Sequence, residues 1–166
     1  MGYRNKTYVI FDGDKDMWAY GFMLGWNNNE HMEFSFYNAH DLRPMEGTAS
    51  EAYVKRVLRE RLQHTKQAIV IVGESTRYLY KFVRWEIETC IEMGIPIVVV
   101  NLNNRRDMDP ERCPPILRDV CAIHVPYKAK AIQRALDIFC DNFDWHKKQG
   151  WKAVVLLPQV YTALGL

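Results

Sequence analysis

The segment AIVIVGESTRYLYKFVRWEIETCIEMGIPIVVV, residues 68–100, carries the pattern that determines the fold. Two short apolar runs, 68–72 and 95–100, flank a stretch with helical periodicity that ends at Gly94. Continuously apolar strands are typical of parallel sheets that are buried on both faces, and a helix is their usual connection. Glycine directly after a periodic stretch is a common end of a helix. The segment therefore predicts a strand, a helix and a parallel strand.

The same alternation of strands and helices continues on both sides of this unit. Further strands are predicted at 7–11, 32–38 and 120–125. Further helices are predicted at 17–26 and at 128–143, and another begins directly after Ser50, which is its expected N-cap. This alternation predicts an α/β fold with helices on both faces of a parallel sheet. Five strands fit the flavodoxin-like, doubly wound order 2-1-3-4-5, in which the alternating polar and apolar residues of 32–38 suit an edge strand.

The length of 166 residues favours one main folding unit. We expect this domain to cover residues 1–145 and a C-terminal extension to cover 146–166. The apolar extension fits either packing on the domain or a contact in an assembly, and both interpretations stay open. We also expect the aromatic residues of the first helix to lie in the core: Trp18, Tyr20, Phe22 and Trp26.

Composition argues against several classes of partner and site. A net charge of +2 does not favour nucleic acid or an anionic membrane as the main partner. The chain has no apolar run long enough to span a bilayer, and its start lacks a signal-peptide pattern. The four cysteines lack C-x-x-C spacing, so we expect reduced thiols and no metal site. A cytoplasmic protein is the resulting expectation.

A carboxylate in the opening segment stands out from its neighbours. In the predicted strand order, ligands bind where the loops after strands 1 and 3 meet, here DGDKD (12–16) and GESTRYLY (73–80). Glu86 has no charged residue three or four positions away, whereas Glu88 has Arg84 as an ordinary helix-surface partner. Glu86 therefore flanks the apolar face, where partial burial raises a carboxyl pKa. It is either catalytic or a boundary residue that a loop amide satisfies.

The acidic loop allows a second chemistry. Asp12 and Asp14 follow a strand with the spacing of the paired aspartates in haloacid-dehalogenase-like phosphatases, which use Mg²⁺ and an aspartate nucleophile. Asp16 stands where that motif has a hydroxyl or apolar residue. A Mg²⁺-dependent phosphatase that uses Asp12 and Asp14 is therefore the weaker alternative.

Several segments together resemble one known family. VIFDGDKDMW, FSFYNAHD and FVRWEIETCIEMGIPIVVVNLN are similar to the TIR-like domains of the Thoeris bacterial anti-phage defence system. The resemblance covers roughly residues 7–138 and is strongest at Trp85-Glu86, in a helix between two buried strands. It departs from the family pattern at the end of the first strand, where Phe11-Asp12 replaces a Ser-Phe or Ser-Tyr pair.

The resemblance implies an enzyme that cleaves the nicotinamide–ribose bond of NAD⁺, as hydrolase or cyclase, with NAD⁺ as substrate and no separate cofactor. It implies Glu86 as the catalytic residue, and Phe11, Asp12, Ser75 and Trp85 as substrate-binding residues. Its further implications are an ADP-ribose-derived signal for a downstream effector, a phage-derived trigger and a homo-oligomer when active. Because many TIR domains signal without catalysis, a protein-interaction adaptor is the alternative.

Overall fold

The computed structural model describes residues 6–29, 37–38 and 50–166. Of the strand predicted at 32–38, only Tyr37–Asn38 falls within these ranges, and its backbone forms a strand there. The rest of that prediction lies outside the described residues.

The described residues form one six-stranded parallel sheet. The strands are β1 (Lys6–Ile10), β2 (Tyr37–Asn38), β3 (Gln67–Val72), β4 (Ile97–Asn101), β5 (Ala122–Pro126) and β6 (Val154–Val155). They pair in the order β2-β1-β3-β4-β5-β6, and every pairing is parallel. The α/β class is confirmed. The sheet also has one short strand more than the five predicted, because β6 pairs with β5.

Five α-helices connect or follow the described strands. They are α1 (Met17–Asn28), α2 (Glu51–Leu62), α3 (Phe82–Glu92), α4 (Ala129–Lys148) and α5 (Pro158–Ala163). Ser50 caps α2 as predicted, because its hydroxyl accepts a 3.2 Å hydrogen bond from the Tyr53 N–H. Gly94 adopts φ +68° after α3, a conformation that glycine takes without steric cost.

The sheet separates two apolar core layers. One layer contains Val9, Ile69 and Val98 from the strands and packs on α1, α4 and α5. The other contains Tyr8, Val70 and Val99 and packs on α2 and α3. Because successive residues of a strand point to opposite faces, burial of both faces requires continuously apolar strands. This explains the runs from which the sheet was predicted.

The C-terminal residues complete the same core. β6 pairs with β5, and Val154, Leu156 and Tyr161 are buried in the layer that contains α4. The expected boundary at 145/146 falls inside α4, which continues to Lys148. Residues 154–163 thus extend the sheet beyond β5 and help to cover one of its faces.

The aromatic residues of α1 do not all lie in the core. Tyr20 is buried and Trp26 is half-buried, but Trp18 and Phe22 are 52% and 60% exposed. The core expectation was wrong for these two residues, because α1 packs through Ala19, Tyr20 and Met23. Within the described ranges, no helix is both long enough and apolar enough to cross a bilayer.

Candidate functional site

Glu86 lies at the centre of α3 and is half-buried. Its Oε1 accepts a 2.7 Å hydrogen bond from the hydroxyl of Tyr8, which is buried in β1. Tyr8 belongs to the core layer beneath α2 and α3. The side chain of Tyr8 therefore links β1 to the carboxylate on α3 through the apolar layer between them.

Burial dominates the electrostatics of this carboxylate. It raises the pKa of Glu86 to about 7, although the Tyr8 hydrogen bond and the positive charge of Arg61 both lower it. The pKa of Tyr8 is itself raised, first by burial and then by the negative charge of Glu86. Burial, with a smaller contribution from Glu86, also raises the pKa of Cys90. Glu86 thus changes charge near neutral pH in an environment that disfavours ionisation.

The contrast with Glu88, two residues later, shows that the helix face decides the pKa. Glu88 accepts a 2.7 Å hydrogen bond from Arg84, as predicted, and its second oxygen lies 2.9 Å from the Lys55 ammonium. Hydrogen bonds from Arg84 and Lys55 lower the pKa of Glu88. The pKa values of Glu86 and Glu88 therefore depart from the ordinary value in opposite directions.

The loops after β1 and β3 meet through Asp12 and Ser75. Asp12 is buried, and its Oδ2 accepts a 2.8 Å hydrogen bond from the Ser75 hydroxyl. Its Oδ1 accepts hydrogen bonds from the backbone N–H groups of Asp14 and Lys15, at 3.0 and 3.3 Å. Two of the predicted substrate-binding residues, Asp12 and Ser75, thus bind each other, and Asp12 also binds the backbone of its own loop.

This arrangement does not favour the phosphatase alternative. Both oxygens of Asp12 accept hydrogen bonds from the protein, and the side chain of Asp14 is exposed. Across the described residues, no cluster of three or more histidine, cysteine, aspartate or glutamate side chains has an arrangement that would hold a metal ion. A Mg²⁺ site that uses both carboxylates would require the loop to give up its internal hydrogen bonds.

Asp16 is part of this loop junction, and its role was missed in the sequence analysis. It is buried, its Oδ2 has no hydrogen-bond partner among the described residues, and it packs against Gly73 at the end of β3. A Cβ atom at Gly73 would clash with this carboxylate. Burial and the nearby Asp12 raise the pKa of Asp16. The sequence offered one sign of this contact, because Gly73 follows a predicted strand whose end faces the acidic loop 12–16.

The two aromatic candidates occupy different environments. Phe11 is buried, and its ring stacks on Tyr20 with centroids 4.7 Å apart. Trp85 is half-buried and meets Phe82 edge to face at 5.5 Å. Phe11 therefore has little free surface for a ligand, whereas Trp85, next to Glu86 in the chain, keeps part of its surface exposed.

The predicted site residues fall into two groups along β1. Glu86 bonds Tyr8, which precedes Asp12 by four residues, or about 13 Å of extended strand. The Asp12–Ser75 pair joins the loops at the carboxyl edge of the sheet, and Glu86 lies on α3, bonded to Tyr8 of the core layer that α2 and α3 cover. The structure therefore joins Asp12 to Ser75 and joins Glu86 to Tyr8, a partner that the sequence analysis did not name.

A doubly wound parallel sheet with a half-buried glutamate in the helix after its third strand agrees with the TIR-like class expected from the sequence. The chain belongs to the family described as Thoeris protein ThsB, TIR-like domain, whose model matches residues 8–107. This match covers more than half of the chain and includes Tyr8, Asp12, Ser75 and Glu86. The resemblance drawn from the sequence is confirmed at the level of the family.

Proposed function

We propose that this protein cleaves the bond between nicotinamide and ribose in NAD⁺, and that Glu86 is its catalytic residue. The observation that carries the proposal is a half-buried carboxylate with a pKa of about 7, held by the Tyr8 hydroxyl. Perturbed carboxyl groups of this kind concentrate at functional sites. Membership in a TIR-like family of a defence system supports the same conclusion.

The chemistry requires one carboxylate. When the C1′–N bond breaks, its electron pair passes to the pyridinium nitrogen, nicotinamide leaves neutral, and positive charge develops on the ribose. An ionised Glu86 stabilises this oxocarbenium-like charge, and water or a nucleophilic atom of the same ADP-ribose then attacks C1′. Since the leaving group departs neutral, no second carboxyl is needed to protonate it. Tyr8 orients the carboxylate and favours its ionised form.

The proposed biological role is signalling in anti-phage defence. The product would be an ADP-ribose derivative that diffuses to an effector, and a phage component would activate the enzyme. We further propose that the active form is a cytoplasmic homo-oligomer, in which Asp12, Ser75 and Trp85 contribute to NAD⁺ binding. Because Asp12 and Ser75 bind each other, substrate would exchange this hydrogen bond for contacts with ribose or phosphate.

The test is a mass-spectrometric assay of nicotinamide release from NAD⁺, with and without phage lysate, in the presence of EDTA. The proposal expects release by the wild-type protein and a loss of at least about a hundredfold in Glu86→Gln. Glu88→Gln is the matched control, because it makes the same substitution on the outer side of α3. Full activity of Glu86→Gln would refute the mechanism, and activity lost equally in both variants would indicate structural damage.

A non-catalytic adaptor is the second candidate, and one observation favours it. Asp12 and Ser75 bond each other and Glu86 bonds Tyr8, so these predicted site residues already have partners within the chain. An adaptor predicts that no condition yields nicotinamide, and that Glu86→Gln supports defence in cells as well as the wild type does. Loss of defence in Glu86→Gln, with the fold intact by circular dichroism, would exclude it.

A further inference from the structure

A cavity of about 270 Å³ opens at the opposite edge of the sheet from the Asp12–Ser75 junction. It lies between the C-terminal ends of α3 and α4 and the residues that enter β4 and β5. Its apolar lining comes from Ile91, Ile95, Ile97, Val120 and Phe143. This volume is close to the lower end of ligand pockets, about 300–1,000 Å³, so the cavity suits a small molecule.

The rim of the cavity carries an aromatic ring and two ammonium groups. Trp151 is 51% exposed and packs on Trp145, with ring centroids 5.7 Å apart. Lys152 is paired with Asp119 at 3.0 Å. Lys147 lies over the Phe143 ring at 5.7 Å and forms no ion pair within the described ranges. The rim therefore has one positive charge that no carboxylate of the described residues neutralises.

The turn that carries Trp151 is held at both ends by backbone hydrogen bonds. The Trp151 N–H donates to the His146 carbonyl, and the Ala153 N–H donates to the Val120 carbonyl, both at 3.1 Å. Gly150 enters the turn with φ +72°, which glycine tolerates. Since the segment is fixed on α4 and on the entry to β5, the cavity wall is formed before any ligand arrives, and little ordering entropy opposes binding.

We propose that this cavity is a binding site for a small organic anion with a flat apolar body, such as an aromatic carboxylate. The isoleucine, valine and phenylalanine side chains would cover the apolar body, and Trp151 would pack against its face. Lys147 would pair with the carboxylate at the mouth. The site is separate from Glu86 and does not depend on the proposed NAD⁺ chemistry.

Cys121 provides a direct readout, because this half-buried free thiol lines the cavity. Cys140 is also free and half-buried, but it lies outside the cavity and serves as the internal control. The probes are indole-3-acetate and its neutral, nearly isosteric analogue indole-3-acetamide. Alkylation of each cysteine by iodoacetamide at pH 8 is followed by peptide mass spectrometry over increasing probe concentration.

The proposal expects indole-3-acetate to slow alkylation of Cys121 and to leave Cys140 unchanged. The acetate should bind about two- to fivefold more tightly than the acetamide, the effect of one partly exposed ion pair. Lys147→Met should abolish this preference, and Lys148→Met, a substitution one residue later on α4, should keep it. Equal protection of both cysteines, no protection at millimolar probe, or a preference that survives Lys147→Met would each overturn the proposal.

Discussion

Replacing Glu86 with glutamine should stabilise the fold at alkaline pH. Glutamine keeps the shape of the side chain and an oxygen that accepts the Tyr8 hydrogen bond, but it carries no charge that must be held in a buried environment. The folded-state pKa of about 7 lies above the ordinary value of 4.5, so the folded state binds the proton more tightly than the unfolded state. Wild-type stability is therefore lost as pH rises from 4.5 to about 7, and the variant does not incur this loss.

The size of the effect follows from the pKa shift. A shift from 4.5 to about 7 corresponds to about 3 kcal/mol once Glu86 is ionised in both states. At pH 8.5 the variant should exceed the wild type in free energy of unfolding by about 3 kcal/mol. At pH 5, where Glu86 is protonated in the folded state, the difference should fall below about 1 kcal/mol.

The assay is urea denaturation of both proteins at pH 5 and pH 8.5, followed by circular dichroism. Glu88→Gln is the control and should destabilise the protein at pH 8.5, because the pKa of Glu88 is lowered by partners that the variant loses. A stabilisation by Glu86→Gln of the same size at both pH values would refute the reasoning, since it would not arise from ionisation. If Glu86 is catalytic, this variant gains stability and loses activity, as expected of a functional site that retains a buried charge.

Three further substitutions test other parts of the structure by urea denaturation. Tyr8→Phe removes the hydrogen bond that lowers the pKa of Glu86, so the loss of stability with rising pH should extend above about pH 7. An unchanged midpoint of this pH-dependent loss would contradict the prediction. Gly73→Ala should cost about 1–3 kcal/mol because its Cβ would clash with the Asp16 carboxylate, and adding Asp16→Ala should recover most of that cost. Tyr161→Ala should cost about 3–5 kcal/mol because Tyr161 is 2% exposed, whereas exposed Tyr80→Ala should change stability by less than about 0.5 kcal/mol.

Local patterns in the sequence were sufficient for the secondary structure and for part of the site. The buried strands, the Ser50 cap and the helix end at Gly94 depend on residues within a few positions of one another. The contrast between Glu86 and Glu88 was visible for the same reason, since a helix brings together residues three and four positions apart. The short strand β6 was missed because two residues are too few to show a period.

Contacts between distant segments could not be derived in this way. The predicted topology placed the loops after β1 and β3 together, but it did not reveal that Asp12 would bind Ser75 rather than remain available to a ligand. The aromatic residues of α1 have helical spacing, yet only the packing of that helix left Trp18 and Phe22 exposed. Periodicity shows that a helix has an apolar face, and the neighbouring elements decide how much of it is covered.

Periodicity, local spacing and motif are enough to predict the parallel α/β architecture, the TIR-like family and the candidacy of Glu86. The chemical state of that glutamate depends on contacts that form only when the chain folds. Its pKa depends on burial in the packed fold and on the Tyr8 hydroxyl, which is 78 positions away in the chain. The sequence identifies which side chain is unusual, and the fold supplies the desolvation that shifts its ionisation toward neutral pH.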